Sequence, residues 1–315
     1  MRISTNTMYQ SGINKITSLQ AEQVKLQQQI STGRRIGTPS DDPVASAHAL
    51  ELSYAQGINA KFADTRKTAQ LKLNTLESSL TSVTNVLTSA QSSLVGAGNA
   101  TYTDQERAFI GSELNGSLEM LIGLANTKDA SGNYLYSGYQ TSTQPFSAST
   151  STAPNGSITT TSATYMGDSN QQSLQVESNR LMAVSVSGDS VFQANGSNDV
   201  FTAMGDIVTL LNTPITDDAS RTAFNTGLAS ALTKLQSATD NVLNVRASIG
   251  NKLNEIDSLD LSGSDRDLQY SKSLSDLQDL DYASALSDLS KNQTIMEAAQ
   301  KSFISTTSLS LFKLI

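Results

Sequence analysis

Between Phe224 and Ile256 the apolar residues keep one rhythm. Phe224, Leu228, Ala231, Leu235, Ala238, Val242, Val245, Ile249, Leu253 and Ile256 lie three or four positions apart. That spacing draws a single stripe along one face of an α-helix. Sustained over so many turns, it points to helices packed side by side as in a coiled coil rather than to one helix lying on a globule. Leu73, Leu76, Leu80, Val83, Leu87, Ala90 and Leu94 repeat the pattern earlier in the chain, with Phe62 and Ala69 upstream and Gly96–Ala97–Gly98–Asn99 as a stop. A third helix begins at Thr103–Asp104–Gln105–Glu106. There a Thr three residues before a Glu forms a capping box, in which each satisfies the other's backbone N–H. Its stripe is Ile110, Leu114, Leu118, Leu121 and Ala125.

The two ends are also periodic, but their seams are thin. Tyr9, Ile16, Gln23 and Ile30 fall seven apart, with Gly12, Leu19, Leu26 and Gly33 three positions later. Tyr282, Leu289, Met296 and Phe303 do the same near the other end, with Ala285, Ala299 and Thr306 beside them. Short isolated helices are marginal in water, so each end needs a partner, either the other end or another subunit. Tyr9, Ile16, Leu19, Leu26, Ile30, Tyr282, Leu289, Met296 and Phe303 are therefore the candidate assembly interface. Paired antiparallel, the two ends bury one another and leave Ile13, Val24 and Ile295 outside. Gly33 reads as a helix stop. In the break that follows, Gly37–Thr38–Pro39–Ser40–Asp41–Asp42–Pro43, Ser40 or Asp41 is expected to cap the helix that Pro43 opens.

From about Gly132 the composition turns to Ser, Thr, Gly, Asn and Gln. Leu174 and Val176, then Met182, Val184 and Val186, then Val191 read as strands with one buried face, separated by turn signals at Pro145, Pro154, Gly156, Gly167 and Gly188. The expected fold is mainly α with a small inserted β domain, its long coiled-coil-like bundle formed by both chain ends. The order is three helices, the β insert, then two helices. Three domains follow: a terminal helical one (1–42 with 281–315), a helical bundle (43–133 with 200–280) and the outer β insert (134–199).

Little in the sequence supports chemistry. The 315 residues contain no Cys, which excludes thiol catalysis, disulfides and thiolate metal sites. The single histidine, His48, lies in a helical stretch, Ala45–Ser46–Ala47–His48–Ala49, and no nucleophile elbow or phosphate-binding loop accompanies it. Asp41–Asp42 suits a helix N-terminus better than a hard cation, which takes six or more oxygens. Asp129–Ala130–Ser131–Gly132–Asn133 lacks the Glu that closes a calcium loop and reads as a turn. No catalytic residue, metal ligand or cofactor is expected. The net charge is −8 and the nearest thing to a basic patch is Arg34–Arg35, too little for a nucleic-acid surface. No apolar run approaches the roughly 20 residues of a membrane span, and Met1–Arg2–Ile3–Ser4–Thr5–Asn6 does not open a Sec signal peptide.

The first 50 residues resemble the flagellin superfamily. The resemblance is carried by Arg2–Ile3–Ser4–Thr5–Asn6, by Gln29–Ile30–Ser31–Thr32–Gly33–Arg34–Arg35–Ile36, and by Asp41–Asp42–Pro43–Val44–Ala45. Ser31, Thr32, Gly33, Arg34, Asp41, Asp42 and Pro43 are its signature residues. Pro43–Val44, the run Asp129 to Gln140 followed by Pro145–Phe146, Gly188 to Phe192, and the ending Ser308 to Ile315 resemble the hook–filament junction branch more than the filament flagellins.

That resemblance implies a structural subunit exported unfolded through the flagellar type III channel to the outside of the cell, without a cleaved signal. It implies assembly with copies of itself in a ring, between the first hook-associated protein and the flagellin filament. The paired ends would form the inner tube and the insert would face outward. An export chaperone would hold the C-terminal segment. The alternative within the superfamily is filament flagellin itself. An enzyme carried on such a scaffold would need a pocket with convergent polar groups in residues 134–200, and the sequence there offers none.

Overall fold

The computed structural model describes residues 5–99, 101–152, 158–194 and 198–312. The expected turn residues Pro154 and Gly156 lie outside this range, as do Arg2–Ile3–Ser4 of the family signature and the last three residues, 313–315. Seven helices and four strands follow in order among the described residues: α1 (Thr5–Thr32), α2 (Pro43–Ala97), α3 (Asp104–Ala125), β1 (Phe146–Thr152), β2 (Ile158–Tyr165), β3 (Ser173–Glu177), β4 (Arg180–Ala183), α4 (Gly188–Phe192), α5 (Val200–Leu211), α6 (Asp218–Gln278) and α7 (Tyr282–Phe312). The fold is the helical bundle with β insert that the stripes lead one to expect. By contact, the chain divides into two compact units. One is Met1–Ala60 with Ser264–Ile315, the other Lys61–Gly263.

The Lys61–Gly263 unit holds the main core. Leu73, Leu76, Leu80, Val83, Leu87 and Leu94 of α2, Leu114, Leu118 and Leu121 of α3, and Leu235, Val242, Ile249 and Ile256 of α6 are all buried in one cluster. Hydrogen bonds from Gln70 to Asp257 (3.3 Å), from Arg246 to Glu77 (2.7 Å) and from Gln91 to Gln236 (3.1 Å) set α2 and α6 antiparallel. Thr103 caps α3, and the reciprocal capping box with Glu106 is complete. Arg66 is the one charged side chain in the fully buried set. Its guanidinium pairs with Asp260, donates to the Val176 carbonyl (3.1 Å) and lies 3.8 Å from Glu177. A cation that deep requires such partners, because removing a charge from water is costly. Arg66 thus ties α2 to both α6 and β3.

The insert consists of two antiparallel hairpins, β1–β2 and β3–β4, each with a register irregularity. Its centre is aromatic. Phe146 stands 4.8 Å from Phe201, 5.4 Å from Phe192 and 5.2 Å from Tyr165 (ring centroids), and Tyr136 meets Phe192 edge-on at 5.3 Å.

Four expectations need correction. Val191 is in a helix, α4, not a strand. The Asn241 side-chain amide donates to the Ser190 and Val191 carbonyls, both at 2.8 Å, and so satisfies the end of that short helix from α6. Val184 and Val186 are buried but lie beyond the end of β4. The layout also lacked α5. Nearly all of α5 is apolar and eight of its twelve residues are buried. It packs on α3 and on β2 and leaves Thr202, Asp206 and Thr209 exposed at helical spacing, so its one-sided rhythm was present in the sequence. The cap of α2 is likewise neither Ser40 nor Asp41 but Asp42, whose carboxylate accepts from the Ala45 N–H at 3.0 Å.

Candidate assembly interface

Helices α1 and α7, both in the unit formed by the chain ends, pack against each other. Tyr9 and Phe303 are in ring contact at 5.1 Å. Phe303 also fills the space beside Gly12, where a Cβ would come within 2.6 Å of its Cδ2. At the far end the Tyr282 hydroxyl lies over Gly33, 2.9 Å from where a Cβ would be. Gly33 has φ +69, the left-handed conformation that ends α1 and that an L side chain rarely adopts. The helices are therefore antiparallel.

Burial follows the heptads. On α1, Leu19 is only 5% exposed, and Gly12, Ile16, Leu26, Ile30 and Gly33 are half-buried. On α7, Ala285 and Asn292 are buried, and Leu289, Met296, Ala299 and Phe303 are half-buried. Tyr9 and Tyr282 cover the seam's ends and stay 47% and 50% exposed. Asn292, 6% exposed, was not legible as an interface residue. Its signal was positional, seven residues from both Ala285 and Ala299. Ile13, Val24 and Ile295 are exposed outside the seam, and so is Ile304.

The signature residues build the turn beside this seam. The Ser31 and Thr32 hydroxyls donate back to the Gln28 carbonyl, both at 2.9 Å, within the last turn of α1. The Leu280 N–H donates to the Gly33 carbonyl (3.0 Å), and the Arg35 N–H to Gln278 (2.7 Å). The Arg35 guanidinium donates to the Leu277 carbonyl (2.8 Å) and to Asp42 (3.3 Å). Arg34 is exposed and forms a backbone bridge with Asp279. Pro43 is the first residue of α2, where its missing N–H leaves nothing unsatisfied.

Asp41 accepts from the Gly37 and Thr38 N–H groups (3.0 and 2.9 Å) and pairs with Lys25 at 2.8 Å. The Lys25 ammonium first, and then the Thr38 N–H, hold its carboxyl down at about 2. A depressed carboxylate stabilises the fold above its ordinary range and loses that contribution only as pH falls through its folded value. These loop contacts are thus expected to survive at pH 3 and to dissolve near pH 2. Following the Asp41 carboxyl carbon by NMR checks this, and a midpoint near 4 would contradict the ion pair.

His48 stands exposed on α2, 3.7 Å from Glu51. In the insert, polar groups around the cleft of Lys72, Asp129, Tyr134 and Gln172 bond one another. Lys72 donates to Gln172 (3.0 Å), and the Asp129 carboxylate accepts from the Ser131 and Asn133 N–H groups of its own turn. Among the described residues no group of three or more His, Asp or Glu could hold a metal ion, and no helix is long and apolar enough to cross a membrane.

The sequence profile of the bacterial flagellin N-terminal helical region matches residues 3–141. Over 327 aligned residues the chain is 36% identical to the flagellar hook-associated protein 3 of Escherichia coli, covering 100% of this chain and 99% of that protein. The chain belongs to the hook-associated protein 3 family. The Salmonella typhimurium member is 34% identical over 100% of this chain and 99% of its own. The flagellar junction protein FlgL of Legionella pneumophila shares the fold, with a TM-score of 0.59 at 20% identity, over 74% of this chain and 100% of that one. FlgL of Xanthomonas campestris does so at 0.59 and 17%, over 71% and 99%. As a family member the chain is a flagellar component of a structural kind.

Proposed function

We propose that the chain is the structural subunit joining the flagellar hook to its filament, between the first hook-associated protein and flagellin, and that it acts by helical self-assembly in a ring. The observation that carries this is the terminal helix pair. Its seam is thin, and Ile13, Val24, Ile295 and Ile304 remain exposed beside it. Exposed apolar groups on a slender helical pair favour association with neighbouring subunits. The names of the relatives support the same reading. Within it, residues 1–42 and 281–315 act as the tube-forming part, 43–133 with 200–280 as the bundle, and 134–199 as the outward insert. Tyr9, Ile16, Leu19, Leu26, Ile30, Tyr282, Leu289, Met296 and Phe303 form the assembly interface.

The chain works without catalysis. His48 has an exposed Glu51 for a neighbour, and general-base work needs a positioned partner in a pocket. It leaves the cell unfolded through the flagellar type III channel, its C-terminal segment held beforehand by an export chaperone. Immunogold labelling of isolated flagella tests the placement. One band at the boundary of hook and filament is the expected result. Label along the whole filament would instead make the chain a filament flagellin.

A further inference from the structure

The terminal pair repeats so regularly that sliding α1 along α7 by one heptad would still set apolar residues against apolar residues. Something must select one register. Two contacts define the observed one, Phe303 against Gly12 and Tyr282 against Gly33. In both, the residue numbers add to 315, so residue n of α1 faces residue 315 − n of α7. Leu19 then faces Met296, Leu26 faces Leu289, Ile16 faces Ala299 and Ile30 faces Ala285. One layer is polar, with Gln23 facing Asn292. It falls midway between the two glycine seats, which lie 21 positions apart on each helix.

We propose that the Gln23–Asn292 carboxamide layer helps select the register in which the two chain ends pair. Asn292 is more than nine-tenths buried, and its Oδ1 has no donor. The group facing it, the Gln23 carboxamide, carries the N–H that Oδ1 lacks, and an amide can both donate and accept. A slip of seven residues takes that donor away. Asn292 would then face Ile16 or Ile30, and Gln23 would face Ala285 or Ala299. A lone buried carboxamide against apolar neighbours is disfavoured, whereas the leucine layers lose little in the same slip. Leu26 would meet Met296 or Tyr282, and Leu19 would meet Leu289 or Phe303. The leucine layers therefore hold the ends together without choosing among registers; the two glycine seats and the backbone bonds at Gly33 and Arg35 favour the observed one, and the amide layer adds to that choice. This is the part a single polar layer plays in other helical pairs, at some cost in affinity. Register matters because it decides which side chains each end offers to a neighbouring subunit.

The absence of cysteine from the chain makes the test direct. The full-length purified protein is given one cysteine pair at a time and mildly oxidised, and the intrachain disulfide is read from gel mobility and peptide mass. Leu26→Cys with Leu289→Cys reports the observed register. Leu26→Cys with Met296→Cys reports a slip of one heptad, in which the two Cα atoms are otherwise displaced by roughly 10 Å along the axis, beyond the span of about 7 Å that a disulfide bridges. With the native layer the first pair should close and the second should close about tenfold less, the discrimination expected of an unpartnered buried amide. Replacing the layer by Gln23→Leu with Asn292→Leu should raise the yield of the slipped product relative to that of the observed register. The exchange Gln23→Asn with Asn292→Gln, which keeps two carboxamides in the layer, should restore the original preference. An unchanged ratio in the leucine variant, or equal closure of both pairs with the native layer, would overturn the proposal.

Discussion

Cells whose only copy carries Met296→Asp are expected not to swim and to shed flagellin into the medium, while the purified variant keeps the melting transition of the Lys61–Gly263 unit. Met296 is half-buried on α7, facing Leu19. A carboxylate there would be desolvated with no cation on the seam to receive it, and an unpaired charge away from water is among the most costly substitutions available. The terminal pair has little to set against that cost, because its seam is one or two residues wide. The core of the other unit contains none of these residues; its leucines and valines lie between Ala69 and Ile256. Met296→Leu, close in volume, should swim, since such exchanges usually cost less than about 1.5 kcal/mol. Motility plates and a thermal scan read by circular dichroism decide the matter. Normal swimming of the aspartate variant would remove Met296 from the interface. Loss of the main melting transition would show that α7 belongs to the same cooperative core.

Phe201→Ala is expected to give the largest loss of stability of any single truncation in the aromatic centre, about 3–5 kcal/mol. Phe201 has no exposed surface. It sits 4.8 Å from Phe146 and 5.4 Å from Phe192, ring to ring, at the start of α5. Its removal takes one wall from the aromatic centre, and neighbours anchored on a strand and on separate helices cannot collapse into the space. In a unit of this size each kcal/mol moves the melting temperature by about 2–4 °C, so a drop of roughly 6–20 °C should appear. Phe109→Ala on the outer face of α3 is the control. With 66% of its surface exposed, it should change stability by no more than about 0.5 kcal/mol. A Phe201 loss as small as that of Phe109 would mean that the aromatic centre contributes contacts but little energy.

What could be read from the residues alone follows from how many faces of an element are buried. The stripes of α2, α3 and α6 were legible because each helix buries one side and leaves the other in water, which writes a three–four rhythm into the composition. Leu80, Leu118 and Val242 lie where that rhythm places them, with almost no exposed surface. Helix α5 follows the same rule, with Thr202, Asp206 and Thr209 exposed on one side, and the layout lacked it although its rhythm was present. Strands β1 and β2 are written almost wholly in Ser and Thr, and they carry little alternation beyond Phe146, Ala163 and Tyr165.

The candidate interface divides the same way. Heptad spacing was enough to name Leu19, Leu26, Leu289, Met296 and Phe303 before any coordinates, because an apolar seam is a local property of one helix. Which residue of one end faces which residue of the other is not local. Phe303 against Gly12 and Tyr282 against Gly33 join positions 291 and 249 residues apart, and only the antiparallel packing of α1 and α7 brings them together. Asn292 is the clearest case. On its own helix it looks like a polar gap in the stripe, and only the partner helix turns it into a buried layer. The sequence by itself determined the helices, their wet and dry faces, the absence of cysteine chemistry and the family. The tertiary structure alone decided register and the burial of Arg66, since each depends on contacts between segments that carry no local trace of one another.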